Sequence, residues 1–328
     1  MAGPSREIAA VRVAVRRAFL SRRRQHRSLV ACSGGADSLA LAAAARFVAP
    51  RLGAACGLVT VDHGLQAGSA ERAASVASWA ASAGFDPALT MSADVTGRPG
   101  GPEAAARDAR YEALCKAAHD CGATTVLLGH TLDDQAETVF LALSRGGGPR
   151  GLAGMPAART IDGVTFLRPL LGLPRAVVRA AATDAGIEPW EDPHNVDPSY
   201  ARARVRKALP LLTDALGPGL VANLARVAAL AAQDNAALDE AAAAVAAHAR
   251  TGDDLRIDVL AAQPDAIRTR VLRLYAAWIG ANALSQRHVA ALDALVTGWR
   301  GQGPVALPGG VHVARCDGHL SRVGSVRG

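Results

Sequence analysis

The sequence holds only two lysines, Lys116 and Lys207, so its 36 Lys+Arg are almost all arginine. It has five cysteines and no Cys-x-x-C pair. That argues against a zinc ribbon or a cysteine-held iron–sulfur cluster, and a sparse, odd count suits a reducing compartment better than a disulfide scaffold. No apolar run approaches the length of a membrane span, and the N-terminus is too broken by arginine to hold the apolar core of a signal peptide. The expectation is a cytoplasmic protein that needs no membrane. No glycine-rich loop ends in Lys-Ser or Lys-Thr, which excludes a Walker A nucleotide loop.

At 328 residues, half of them apolar, the chain is long enough for two domains with sizeable cores. Formal charge is +7 and the pI is near 9.7. The excess is concentrated: Arg6, Arg12, Arg16, Arg17, Arg22, Arg23, Arg24 and Arg27 face only Glu7 across the first thirty residues or so. Arg202, Arg204, Arg206 and Lys207 form a second cluster. Such clusters suit a polyanion, and equally suit solvated helix faces.

A short apolar run, Leu29-Val30-Ala31-Cys32, reads as a buried parallel strand and breaks into Ser33-Gly34-Gly35-Ala36-Asp37-Ser38. A helix is expected from Asp37 to about Val48. Glycines at such a junction let backbone N–H groups close on an anion at the helix N-terminus. Ser33 and Ser38 add hydroxyls, and Asp37 is a carboxylate able to hold magnesium. The competing reading is a strand–turn–helix whose glycines serve only the turn.

The rest alternates in the same way. An amphipathic helix spans about Ile8 to Leu20, and a strand Cys56–Val61 ends in Asp62-His63-Gly64-Leu65. Asp62 there is either a ligand or a turn former. A helix over Ser69–Ala83, a strand Ala88–Met91 and a loop Gly97–Pro102 follow. In the next helix Glu103 and Arg107 stand four apart and share a face with Arg110, either as a salt-bridge ladder or as a phosphate clamp. A strand Thr124–Leu128 leads into Gly129-His130-Thr131-Leu132-Asp133-Asp134-Gln135-Ala136-Glu137-Thr138. Asp133 suits a helix's first turn, whereas Asp134 and Glu137, three apart, make a polar cluster with His130. Ser144–Thr160, with Arg145 and Arg150, is a linker or a loop that grips substrate. A strand near Phe166 and Leu167 precedes Arg168-Pro169-Leu170-Leu171, a helix Arg175–Ala185, a proline-punctuated connector Trp190–Tyr200 and a basic helix Ala201–Leu212.

Gly217-Pro218-Gly219 is the expected boundary between domains at 1–212 and 218–328. The second domain should hold helices at Leu220–Ala249, Ala266–Ile279 and Ser285–Thr297. Short strands Val305–Leu307, Val311–Arg315 and Leu320–Val323 should close it, joined by Gly309-Gly310 and Asp317-Gly318 turns. The expected fold class is α/β: a parallel sheet with helices on both faces, then a smaller, mainly helical domain ending in short antiparallel strands.

The Ser-Gly-Gly-x-Asp-Ser loop after the first strand resembles that of the N-type ATP pyrophosphatases, the PP-loop superfamily. The Glu103–Tyr111 and Asp133–Thr138 segments, with Asp62–Leu65, Arg145–Gly154, Arg168–Leu171 and Trp190–Arg206, are similar within it to the tRNA(Ile)-lysidine synthase family. The resemblance covers most of residues 29–212. It implies ATP bound by Ser33, Gly34, Gly35, Ala36, Asp37, Ser38, Asp62 and Arg107, with Mg2+ on Asp37. It implies Asp37, Arg110 and His130 at the reaction centre and free lysine on Asp134 and Glu137. The implied partner is tRNA(Ile) with a CAU anticodon, held by Arg145, Arg150, Arg202, Arg204, Arg206 and Lys207; oligomeric state is left open. Two positions depart from the family pattern: Ala203 replaces a common asparagine, and Thr131 follows His130 where a second histidine is frequent. The rivals are a PP-loop tRNA thiolase, which needs cysteines this chain does not pair, a small-molecule synthetase, and a non-catalytic RNA-binding protein.

Overall fold

Alternating buried strands and amphipathic helices build the first of two units, Met1–Ala231. The computed structural model describes residues 3–21, 27–62, 64, 68–95, 102–184, 189–190, 197 and 199–324. His63, Leu65, Arg22–Arg24, most of the Gly97–Pro102 loop, the Glu103 side chain and most of the Trp190–Tyr200 connector lie outside the described residues. The order is α1 (Arg6–Leu20), β1 (Arg27–Ala31), α2 (Ala36–Val48), β2 (Cys56–Asp62), α3 (Ser69–Ser82), β3 (Ala88–Ser92), α4 (Pro102–Asp120) and β4 (Ala123–Leu127). Then come α5 (Leu132–Ser144), α6 (Pro149–Leu152), β5 (Ala158–Ile161), β6 (Val164–Leu167), α7 (Arg175–Asp184) and α8 (Ala201–Leu216).

The six strands lie in the order β3-β2-β1-β4-β6-β5. Every neighbouring pair is parallel except β5 with β6. Side chains alternate across the sheet with the two-residue period of a strand. Val30, Leu58 and Leu127 face Val11 and Val15 of α1, Leu41 and Ala45 of α2, and Val178 and Ala182 of α7. One residue out of phase, Leu29, Val59, Val126 and Phe166 face Tyr111, Leu114 and Ala118 of α4. Burial on both faces explains why these strands read as apolar runs.

The Ser144–Thr160 stretch is not a plain linker. It contains α6 and the edge strand β5, which turns back into β6 through Asp162 (φ 47°) and Gly163 (φ 74°). Two successive positive φ values are the geometry of a tight hairpin turn, so Asp162-Gly163 was a legible signal. β5 itself was hidden because Ala158, Arg159 and Thr160 are exposed and show no apolar alternation.

The second unit is Ala232–Gly328. α9 (Leu220–Ala249) runs across the division, and the Gly217–Gly219 break between α8 and α9 lies within the first unit. After it come β7 (Arg250–Thr251), β8 (Asp254–Arg256), α10 (Ile257–Ala261), α11 (Asp265–Trp278), α12 (Gln286–Thr297), β9 (Val305–Leu307), β10 (Val311–Cys316) and β11 (His319–Val323). The antiparallel sheet runs β7-β8-β11-β10-β9. Its core gathers Leu255, Leu260, Val271, Tyr275, Leu292 and Leu320. The β7–β8 hairpin is an addition to the sequence expectation; strands of two and three residues are too short to show a period.

Candidate active site

β1 and β4 are parallel neighbours whose outgoing connections part: β1 leads toward β2 and β3 on one side, β4 toward β6 on the other. Open α/β sheets bind ligands in the crevice at the strands' carboxyl ends where the order reverses in this way. Ser33–Ser38 leaves β1 into that crevice and Gly129–Glu137 leaves β4 into it. The two segments touch through Gly129, where a Cβ would sit 3.2 Å from the backbone of both Asp37 and Ser38. Glycine is needed there for the approach itself.

The loop is organised by Ser38. Its hydroxyl donates to Gly35 O (2.9 Å), accepts from Ser33 N (3.2 Å) and lies 3.4 Å from Ser33 Oγ. Gly34 takes a left-handed φ of 83°. Gly35 caps α2 without a side-chain hydrogen bond, so the helix presents first-turn N–H groups to whatever anion enters. From the far side Trp190 N donates to Gly34 O (3.0 Å), and the Arg72 guanidinium stacks 3.3 Å from the centre of the Trp190 ring.

α5 opens with a capping box, Thr131 N and Oγ1 both donating to Asp134 Oδ2 (2.8 and 2.9 Å). The other Asp134 oxygen accepts from Arg175 Nη2 at 2.8 Å and lies 3.4 Å from Arg206 Nη2. Glu137, fully buried, accepts from Arg175 Nη1 (3.0 Å) and Arg206 Nε (2.9 Å) on Oε1, and from Arg206 Nη2 (3.1 Å) on Oε2. Arg202 stands 3.5 Å from Glu137 Oε2 and donates to Thr138 Oγ1 (2.8 Å). Arg202 and Arg206, expected on a tRNA-facing surface, therefore point inward, because α8 packs against α5 and buried carboxylates need counterions. Arg204, Lys207, Arg145 and Arg150 are exposed.

Arg175 is the hub that sequence reasoning missed. Its backbone N–H donates to Asp133 Oδ2 (2.6 Å), and its Nε lies 3.7 Å from Asp37 Oδ2. One guanidinium thus spans Asp37, Asp134 and Glu137. A cation at the first position of a helix opposes the macrodipole, and that misfit was the available sign. Burial pushes the Asp37 carboxyl up to about 6, with Asp134 adding to the effect and Arg175 opposing it. Burial also disfavours the Asp134 carboxylate, but Arg175 and the Thr131 N–H outweigh it and hold that group below the usual range.

Opposite lies a cationic wall. Arg168, almost fully buried, donates to Pro156 O (2.6 Å) and to Tyr111 OH (2.9 Å). Burial lowers the pKa of Arg110, with Arg107, Arg202 and Arg168 adding to it against Tyr111. His130 is pushed down to about 3 by burial and then by Arg110, so its imidazole is neutral at physiological pH. Asp37 Oδ1, Arg110 Nε, His130 Nδ1 and Arg168 Nε are buried with no hydrogen-bond partner among the described residues. Orphaned buried polar atoms of both signs at one crevice leave donors and a carboxylate oxygen open to a bound ligand or ordered water. Arg107 is exposed, 5.8 Å from the Tyr111 ring centre, and Asp62 Oδ1 accepts from Gly64 N (2.9 Å) in a side-chain turn.

A family model described as the PP-loop domain matches residues 10–212, and one described as the TilS substrate binding domain matches residues 255–321. The tRNA(Ile)-lysidine synthase of Salinispora tropica is 58% identical over 98% of both chains. That of Thermobifida fusca is 54% identical, again over 98% of both. The chain belongs to the tRNA(Ile)-lysidine synthase family. Among solved structures the U34-tRNA thiolase NcsA of Methanococcus maripaludis matches with a TM-score of 0.56 at 17% identity, covering 68% of this chain and 78% of that one. That likeness shows a shared fold. The match to the PP-loop domain supports ATP use by this chain. Among the described residues no single helix is long and apolar enough to cross a membrane.

Proposed function

We propose that the chain joins free L-lysine to carbon 2 of the wobble cytidine of tRNA(Ile) with a CAU anticodon, in the cytoplasm, consuming ATP and releasing AMP and pyrophosphate. The observation that carries this reading is the reach of Arg175: one side chain touches the loop carboxylate Asp37 and both carboxylates Asp134 and Glu137. An ATP half-site and an amino-acid half-site within one guanidinium's span suit a reaction in which two steps share one base.

In the first step the cytosine carbonyl oxygen attacks the α-phosphorus; the bond to the β-phosphate breaks and pyrophosphate leaves. The open N–H groups of Gly34–Ser38 hold the departing group, and Arg110, with Arg107, steadies phosphate oxygens by its planar donor fork. The unpartnered Asp37 Oδ1 fits a magnesium ion, which when bound spreads charge on the phosphates. Neutral His130 offers a ring nitrogen to phosphate or base. In the second step lysine's ε-amine, once it has lost its proton, attacks carbon 2; the carbon–oxygen bond breaks and AMP carries the oxygen away. Lysine's α-ammonium sits on the Asp134–Glu137 face by taking over contacts held by Arg175 and Arg206. Extruding the cytidine from its stack costs a few kcal/mol, and exposed Arg145, Arg150, Arg204 and Lys207 supply phosphate contacts. We assign this catalysis and these phosphate contacts to residues 1–212, and further tRNA binding to residues 218–328.

Asp37→Ala should abolish ATP-dependent lysine incorporation into tRNA, whereas Asp134→Ala should still adenylate tRNA and fail only with lysine. Incubation with ATP, labelled lysine and total tRNA, scoring label in RNA and pyrophosphate release, separates the two. Full lysidine formation by Asp37→Ala would sink the mechanism.

A further inference from the structure

Four tryptophans occur in the chain. Two have structural roles in the first unit: Trp79 packs near Phe85 with ring centres 6.1 Å apart, and Trp190 is stacked under Arg72. The other two, both in the second unit, are exposed, Trp278 by 46% and Trp299 by 39%. Each has a guanidinium over its ring. Arg250 lies 4.8 Å from the Trp278 centre and is fixed by donation to Gly252 O (2.8 Å); Arg315 lies 5.6 Å from the Trp299 centre and donates to Leu295 O (3.2 Å). Each arginine thus has a backbone carbonyl partner besides the ring, and Arg250 also lies 3.6 Å from Asp253 Oδ1.

The charge of this unit decides what such pairs are for. Residues 232–328 carry ten arginines and no lysine against nine Asp+Glu, so nearly all of the chain's +7 resides in the first unit. A near-neutral surface attracts phosphate backbone weakly. An exposed indole paired with arginine instead offers a π-face to an unstacked base, an attraction indifferent to net charge. In a folded tRNA most bases are already stacked; the anticodon loop and the single-stranded 3′ end are the main exceptions. In the proposed reaction the anticodon is engaged by the first unit, which leaves the 3′ end.

We propose that Trp278–Arg250 and Trp299–Arg315 are base-stacking shelves for the unpaired 3′ end of the tRNA. The proposal rests on tRNA being the partner, and the two can fail separately. The test measures binding of the full chain to intact tRNA(Ile), to the same tRNA lacking its single-stranded 3′ nucleotides, and to an anticodon stem-loop. Trp278→Leu and Trp299→Leu should each weaken binding of intact tRNA about tenfold, with Trp278→Phe retaining most of the affinity because it keeps a π-face. Neither leucine variant should alter binding of the truncated tRNA or the stem-loop. In the unmutated chain, intact tRNA should quench tryptophan emission more than truncated tRNA does. Equal losses with all three RNAs, or equal quenching by intact and truncated tRNA, would overturn the proposal. Loss of all RNA binding by the unmutated chain would instead count against tRNA as the partner.

Discussion

Asp37 is a carboxylate that burial holds near the protonation point of a weaker acid, about 6. A bound divalent cation needs its charged form, so protons and metal compete. The sign is fixed: above about 6 the carboxylate is free for the cation, and below it affinity should fall, approaching about tenfold per pH unit. Titration with Mn2+ followed by water-proton relaxation, against Asp37→Asn as blank, checks this; a pH-independent affinity would contradict it. Glu137 carries a different burden. It is wholly buried among Arg175, Arg202 and Arg206, and Glu137→Ala leaves only Arg175 and Arg206 on Asp134. Arg202, which meets no carboxylate but Glu137 among the described residues, is then left unpaired. Stripping one member from a buried charge cluster costs about 3–5 kcal/mol, readable as a lower urea midpoint without a change in slope. Sequence spacing predicted that Asp134 and Glu137 share a face. It did not reveal that arginines already occupy them, because Arg175 and Arg206 stand far away in the chain and only the packing of α7 and α8 brings them in.

At the scale of elements, the site depends on how closely two strand ends approach. Gly129→Ala would drive a Cβ to 3.2 Å from the backbone of Asp37 and Ser38, closer than neighbours tolerate without shifting. The first turn of α2 must give way, and with it the N–H groups proposed to hold phosphate. We expect KM for ATP to rise about tenfold, the scale of roughly 1.4 kcal/mol, with the melting temperature changed by only a few degrees. A melting temperature that collapses while KM stays put would place the glycine in folding rather than in binding. Elements were legible in proportion to their burial. β1, β2 and β4 announce themselves as apolar runs because the sheet is covered on both faces, whereas the exposed edge strand β5 and the brief β7–β8 hairpin carry no period to read. The turn residues Asp162-Gly163 were the better clue.

For the whole molecule, charge and chemistry are divided between the units. The first unit holds nearly all of the net positive charge, so the salt dependence of tRNA binding should be written mostly there. Replacing Arg145, Arg150, Arg204 and Lys207 by glutamine should lower the slope of log affinity against log salt by about 0.7–0.9 for each phosphate no longer neutralised. Filter binding across a salt series reads it, and an unchanged slope would remove these four from the interface. The order of α and β segments was enough to foresee a parallel sheet with its ligand edge. The division of the chain at Ala231/Ala232, inside α9, has no mark in a helix rich in alanine from end to end.

Asp134 and Glu137 meet any incoming ammonium with their oxygens already engaged by guanidinium groups. At the proposed amino-acid site, the guest's ammonium replaces a guanidinium on carboxylates that are already charged and paired. Such an exchange avoids the large desolvation cost of bringing a bare ion pair indoors, and its free energy is a small difference between two similar interactions. On that proposal the affinity for the free amino acid depends on how readily Arg175 and Arg206 let go. An arginine released in this way becomes available, at that moment, to the carboxylate of the same guest.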